Sequence, residues 1–155
     1  MAGIVGLTEL QHTSGNSAMT IDTSGNLTIK TGTTTVKGEG SNNTNLQQGL
    51  AKHWMRLDGS GTISLLDSLN TSSVTDNGNG IYSPVFTNNM SNANYSVNLT
   101  PGVDHGVDFF FACIGDTSGS YTPPSTTGYL SQNCGSAGST NDTDFLNSTV
   151  HGDLA

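Results

Sequence analysis

The side chains with most chemical potential in this 155-residue chain lie in its C-terminal half. His105 falls between Asp104 and Asp108, a spacing at which an imidazole and carboxylates can share a cation near one loop. A transition-metal site needs three or four convergent ligands, and only this cluster is visible, so a solvated loop is the favoured reading. Asp142-Thr143-Asp144 could join a calcium site with backbone carbonyls, but an acidic turn capping a strand accounts for the same residues. Asp116-Thr117-Ser118-Gly119 has one residue too many for the Asp-Thr/Ser-Gly of an aspartic protease, and no second copy stands in a suitable setting. Nucleophile-elbow, Walker-loop and His-Glu-x-x-His patterns are missing from the sequence. The expectation is no catalytic residue, no metal and no cofactor.

Three aromatic residues suggest recognition instead. Trp54 is the one tryptophan and stands beside Met55 and Leu57, which reads as a core or intersubunit anchor ahead of a sugar platform. Tyr121 and Tyr129 flank the Pro123-Pro124 loop and are expected at a recognition surface. There their rings could stack on apolar sugar faces, with neighbouring Asn, Ser and Thr hydrogen-bonding to hydroxyls, although plain loop packing is the favoured reading. Cys113 and Cys134 are read as packed thiols in preference to a bridge, because the Met1–Leu7 start lacks the basic and apolar regions of an export signal. The sequons at Asn26, Asn70, Asn94, Asn98 and Asn147 follow from composition.

Composition sets what can hold such residues in place. Hydrophobic residues make up 32% and charged residues 10%, and Ser, Thr, Asn and Gly together form about half the chain. Typical shares are about 45–50% apolar and about 25% charged. A chain this poor in apolar side chains gains stability by burying surface between subunits, so self-association is expected. Thr, Val and Ile are too frequent for a disordered chain. The net charge of −8, with Lys30, Lys37, Lys52 and Arg56 as the fixed cations, disfavours nucleic acid and anionic membranes as partners. No stretch approaches the roughly 18 apolar residues of a membrane helix.

Along the chain, turn punctuation separates short alternating runs. Ala18–Asp22 and Leu27–Lys30 flank Ser24-Gly25-Asn26, a hairpin or tight corner. Residues 1–45 hold too few large apolar side chains for a core, so they read as an extended β-arm and linker. Its Ile4, Val5, Leu7, Leu10, Met19, Ile21, Leu27 and Ile29, with Trp54 beyond it, are expected to pack on copies of the chain or on a larger assembly. Leu46–Trp54 allows one or two helical turns. Strands then follow: a hairpin about Asp58-Gly59-Ser60-Gly61 with Ile63, Leu65 and Leu69 on one face, a strong turn at Asn77-Gly78-Asn79-Gly80, and Ile81–Thr87, kept to a sheet edge by Pro84. Tyr95, Val97 and Leu99 point inward from the next strand. Val107–Ile114 is the continuous apolar run expected as the central buried strand, and last strands are expected at Gly128–Leu130 and Phe145–Val150. About seven short strands make residues 46–155 an all-β, antiparallel β-sandwich or jelly-roll-like knob.

The run from Leu50 to Ile63, with Asn70 to Tyr82, Phe86 to Met90 and Asn92 to Val97, resembles a sequence type of marine-bacteriophage fibre proteins. Gln11 to Asp22 is similar to the repeated shaft or attachment segment of such proteins. The resemblance covers residues 50–99 well and the Val150-His151-Gly152-Asp153 ending more loosely. It implies a virion-associated tail or head fibre, assembled in the host cytoplasm and trimeric by class. An N-terminal docking segment would meet other virion proteins, a β-rich knob would face a host glycan or protein, and no catalytic residue is implied. The small size keeps a capsid decoration or cement protein in competition. A glycan-binding or depolymerising appendage is the third reading, its paired carboxylates drawn from different chains.

Overall fold

The computed structural model describes residues 9–11, 17–29, 35–37, 43–102, 111–115, 121–135 and 139–155. Ile4, Val5, Leu7, the His105 cluster, residues 107–110 and Asp116–Gly119 lie outside these. The chain divides into two compact units, Met1–Gln47 and Gln48–Ala155.

The first unit contains the antiparallel sheet β1(Glu9–Gln11)–β2(Ser17–Ile21)–β3(Leu27–Ile29) and the hairpin β4(Thr35–Lys37)–β5(Asn43–Asn45). The β2–β3 corner is built by Asp22 and Gly25. The Asp22 carboxylate accepts hydrogen bonds from the backbone N–H of Ser24 (2.9 Å) and Asn26 (2.8 Å) and from the Asn26 amide, and Gly25 takes the left-handed φ of 83°. Hydrogen bonds from Asn26 hold the exposed Asp22 carboxyl below its usual pKa. α1(Leu46–Gly49) is a single turn, since Gly49 and the short length give it nothing to propagate on.

The second unit is an antiparallel β-sandwich. One sheet is ordered β10(Ser96–Pro101)–β13(Leu146–His151)–β6(His53–Asp58)–β7(Ser64–Leu69). The other is ordered β11(Phe111–Ile114)–β12(Ser131–Cys134)–β9(Ile81–Phe86)–β8(Thr71–Asp76). Inward positions alternate with outward ones, and two clusters fill the space between the sheets. Met55, Leu57, Tyr82 and Leu146 form one cluster, with Phe86, Met90, Tyr129 and Val150 in the other. The chain passes from sheet to sheet at Asn70, which has a φ of 60°. Its side chain fixes that corner, donating to the carbonyls of Lys52 and Asn88 (both 3.0 Å) and accepting from the Asn88 N–H at 2.7 Å. Asn tolerates this backbone region better than other non-glycine residues.

Several expectations are corrected. Of the expected run, the described part Phe111–Ile114 stands at the edge of its sheet among the described residues, with Phe111 55% exposed, and is not a central buried strand: an apolar run does not say how many neighbours a strand has. Conversely, β9 lies inside its sheet despite Pro84. The Phe86 N–H on the β12 flank reaches the Thr127 carbonyl at 2.8 Å, and by alternation the Pro84 nitrogen faces the same flank. There the ladder is interrupted between the Tyr82–Ser131 pair and the Val85–Gly128 bridge, so no strand bond is lost to proline. Leu65 and Leu69 do not share a face, because a register shift leaves Leu66 unpaired. Leu65 pairs with inward Leu57, whereas Leu69 pairs with outward Trp54. The strand expected at Gly128–Leu130 begins at Ser131 instead.

A loop-to-loop lock closes one end of the sandwich. The Asp142 carboxylate accepts from the Gly80 N–H (2.7 Å) and the Tyr82 hydroxyl (3.0 Å), while Asn79 bonds the Asp142 N–H and the Thr140 carbonyl. Gly80 has a φ of 68°, and a Cβ there would collide with the Asn141 backbone. Gly80→Ala is therefore expected to cost at least about 2 kcal/mol in denaturant unfolding, with Gly78→Ala, in open space, costing less. Equal losses at the two positions would show that the close approach is unimportant.

Candidate functional site

On the β2–β3 hairpin, Met19 pairs with Ile29 and Ile21 with Leu27, which puts all four on one face. Ile21, Leu27 and Ile29 are 45–55% exposed, and Leu10 stands in register with Met19. Four apolar residues expected to dock thus lie on one face of a three-stranded sheet.

In the sandwich, β6 alternates strictly: His53, Met55 and Leu57 point inward, while Trp54 and Arg56 point outward. Trp54 is 36% exposed and is no part of the core, which removes the core half of its expected role. It lies beside Leu69 of β7 and Thr149 of β13, with Asn98 of β10 one strand further. Arg56 continues the same face, its guanidinium carbon 5.1 Å from the centre of the Phe145 ring.

The two tyrosines part company. Tyr121 is 69% exposed, beside Gly115. Tyr129 is buried at 4% exposure, which removes it as a candidate for surface recognition and agrees with the packing reading, because the chain turns inward after the Ser125–Gly128 bridge. It joins an aromatic cluster with His53, Phe86 and Tyr95, in which the His53 ring stands 5.1 Å from Phe86 and 5.8 Å from Tyr129, edge to face. The Tyr95 hydroxyl, pushed up to a pKa of about 12 by burial, bonds the Ser125 and Gly128 carbonyls at 2.9 and 2.8 Å and pins the loop between them. That loop borders an open groove of about 250 Å³ walled by Pro84, Pro123, Thr122, Thr127 and Tyr129. Hydroxyl and proline surfaces of this kind can hold a weakly bound polar ligand, and the described residues that line the groove include no charged side chain.

Asp142, one of the acidic pair weighed as a cation ligand, is engaged in the loop lock, and Asp144 is exposed. Among the described residues no group of three or more His, Cys, Asp or Glu side chains could hold a metal ion. Cys113 and Cys134 are free thiols on adjacent strands.

Two features were missed. Ser131-Gln132-Asn133-Cys134, a polar run with no strand signature, is buried throughout. Its side chains bond inside the fold, Ser131 Oγ to the Tyr82 carbonyl (3.1 Å) and Asn133 Nδ2 to Thr143 Oγ1 (3.0 Å). The other is His53, fully buried with both ring nitrogens lacking hydrogen-bond partners among the described residues. The alternation with Met55 and Leu57 carried the signal for His53, since it fixes the same inward face. Nothing in the sequence marked β12.

No family model, no curated protein and no solved structure matches this chain.

Burial lowers the His53 pKa from 6.5 to about 4. In the unfolded chain the imidazole protonates near its ordinary value, so unfolding is favoured by proton uptake as pH falls below about 6.5, and the loss levels off near pH 4. Denaturant titrations should show stability falling by about 2 kcal/mol from pH 7 to pH 5, and His53→Leu should flatten that window. An unchanged pH slope in the variant would assign the acid sensitivity elsewhere.

Proposed function

We propose that this protein is a small, non-enzymatic virion structural protein: a short bacteriophage fibre or surface appendage acting as a homo-oligomer, with a trimer as the expected state. Its N-terminal unit docks onto other particle proteins, and its β-sandwich projects to adhere to a host or surface. The observation that carries this reading is the row of half-buried Met19 and exposed Ile21, Leu27 and Ile29 on one face. A sheet of three short strands is marginal without a second layer on its apolar face, and a row of this kind marks an interaction surface. The likeness of residues 50–99 to marine-phage fibre sequences supplies the particle as the setting.

Adhesion by the sandwich agrees with its hydroxyl- and amide-rich exterior, Tyr121 and the open groove beside Pro123. The described residues offer polar recognition surfaces and no convergent acid–base or nucleophile constellation.

Removing residues 1–47 from the particle-encoded protein should abolish its incorporation into virions while the sandwich retains its β-type circular dichroism. Incorporation at the full-length level would refute docking through this unit. Ile21→Asp with Leu27→Asp should reproduce the loss, since it places charge where the proposed contact excludes water.

A further inference from the structure

Cys113 and Cys134 are the two cysteines of the chain, and the fold brings them together. On the β11–β12 ladder Cys113 stands opposite Gln132 and Cys134 opposite Phe111, so the two share one face of the sheet as diagonal neighbours. Their thiols hydrogen-bond each other, and the Gln132 amide donates to Cys134 Sγ at 3.0 Å. The pair is unequal in access. Cys113 is half-buried, whereas Cys134 is 4% exposed, and burial pushes its thiol pKa up.

From this placement we infer that Cys113 and Cys134 form a reversible intramolecular disulfide when the chain meets an oxidising medium, with Cys113 attacking first and Cys134 resolving. The oxidant is a small disulfide of the glutathione class. The Cys113 thiolate attacks one sulfur of that oxidant, which forms a mixed disulfide and expels one small thiolate. The Cys134 sulfur then attacks Cys113 Sγ and expels the second. One S–S bond forms in the protein and one breaks in the oxidant. The two cysteine protons pass to the two released thiols, and the oxidant is reduced by two electrons. The Gln132 amide is placed to stabilise charge on the Cys134 sulfur as it develops. Sulfurs already in contact reach the roughly 2 Å of an S–S bond by changes in side-chain torsion and a small adjustment between the strands. The bridge ties the four-residue β11, outermost in its sheet, to its inner neighbour. It also closes the loop that carries Tyr121 together with Thr122 and Pro123 of the groove, and so restricts the unfolded chain. In a glutathione-buffered cytosol the same pair stays as thiols. The inference goes beyond the proposed function and holds whether or not the chain is borne on a particle.

Treating the reduced, full-length chain with oxidised glutathione tests this. Thiol titration should fall from two per chain to none, with the intact mass lower by two hydrogens and a Cys113–Cys134 link in the peptide map. The thermal midpoint of the β-type circular dichroism should rise by at least about 5 °C and return on adding dithiothreitol. Cys134→Ser should stop at a stable glutathione adduct on Cys113. In Cys113→Ser the remaining Cys134 should take up glutathione at least about tenfold more slowly. A wild-type chain that keeps both thiols, retains the glutathione adduct or links to another chain would overturn the inference. So would a bridge that forms only in denaturant, a midpoint that stays level or falls, or equal labelling of the two serine variants. The wild-type readings need no substitution, so a folding defect in a variant does not decide the outcome. Absence of the chain from particles would refute the virion reading and leave this inference standing.

Discussion

The structure depends on how a scarce supply of apolar side chains is spent. With hydrophobic residues at 32%, the second unit concentrates them in one seam between two four-stranded sheets, where Met55, Leu57 and Leu146 meet Tyr82, and Val150 meets Phe86, Met90 and Tyr129. Burial of a large apolar side chain stabilises by about 1.5–3 kcal/mol, so a seam of this size leaves little margin. Among the described residues, exposed large apolar side chains lie on the β2–β3 hairpin, at Trp54, along β7, and at Phe111 and Tyr121. Interior and exterior are two sides of one allocation.

Polar groups make up part of the difference. The Asp142 carboxylate, the Tyr82 hydroxyl and the Asn79 amide knit two distant loops together, and Asn70 fixes the crossing between sheets. Each such bond is worth about 0.5–1.5 kcal/mol net, but the groups are costly to strand without partners, so they specify a single arrangement more than they add stability. His53 is one of several residues with a buried polar atom that lacks a hydrogen-bond partner among the described residues, with Thr71, Tyr129, Asn133 and Ser148, and it is enclosed by Phe86 and Tyr129. Near neutral pH it packs as a flat, uncharged ring, and acid makes it a liability.

Much of the fold was legible in residue spacing. The Ser24-Gly25-Asn26 and Asn77-Gly78-Asn79-Gly80 signals fall on hairpins, and Tyr95, Val97 and Leu99 take the inward phase. Alternation failed where geometry broke its period: the Leu66 bulge turned Leu65 and Leu69 to opposite faces, and no local pattern announces an inserted residue. Position within a sheet was equally hidden, since Pro84 and the Phe111–Ile114 run were judged by composition although neighbour number is a tertiary property. Tyr129 was misplaced because proximity to a Pro-rich loop says nothing about which way the following residues turn. Among the candidate contact residues, Met19, Ile21, Leu27 and Ile29 could be placed on a shared face from alternation alone, whereas the buried Ser-Gln-Asn-Cys strand could not.

In the proposed reading, association is part of the protein's architecture: apolar surface left over by a thin core would be covered by neighbouring chains. Sedimentation equilibrium of the purified full-length chain measures this most directly. The account predicts a mass that is an integral multiple of 16.0 kDa at working concentrations, with three as the expected multiple. A single 16.0 kDa species at every concentration would contradict it.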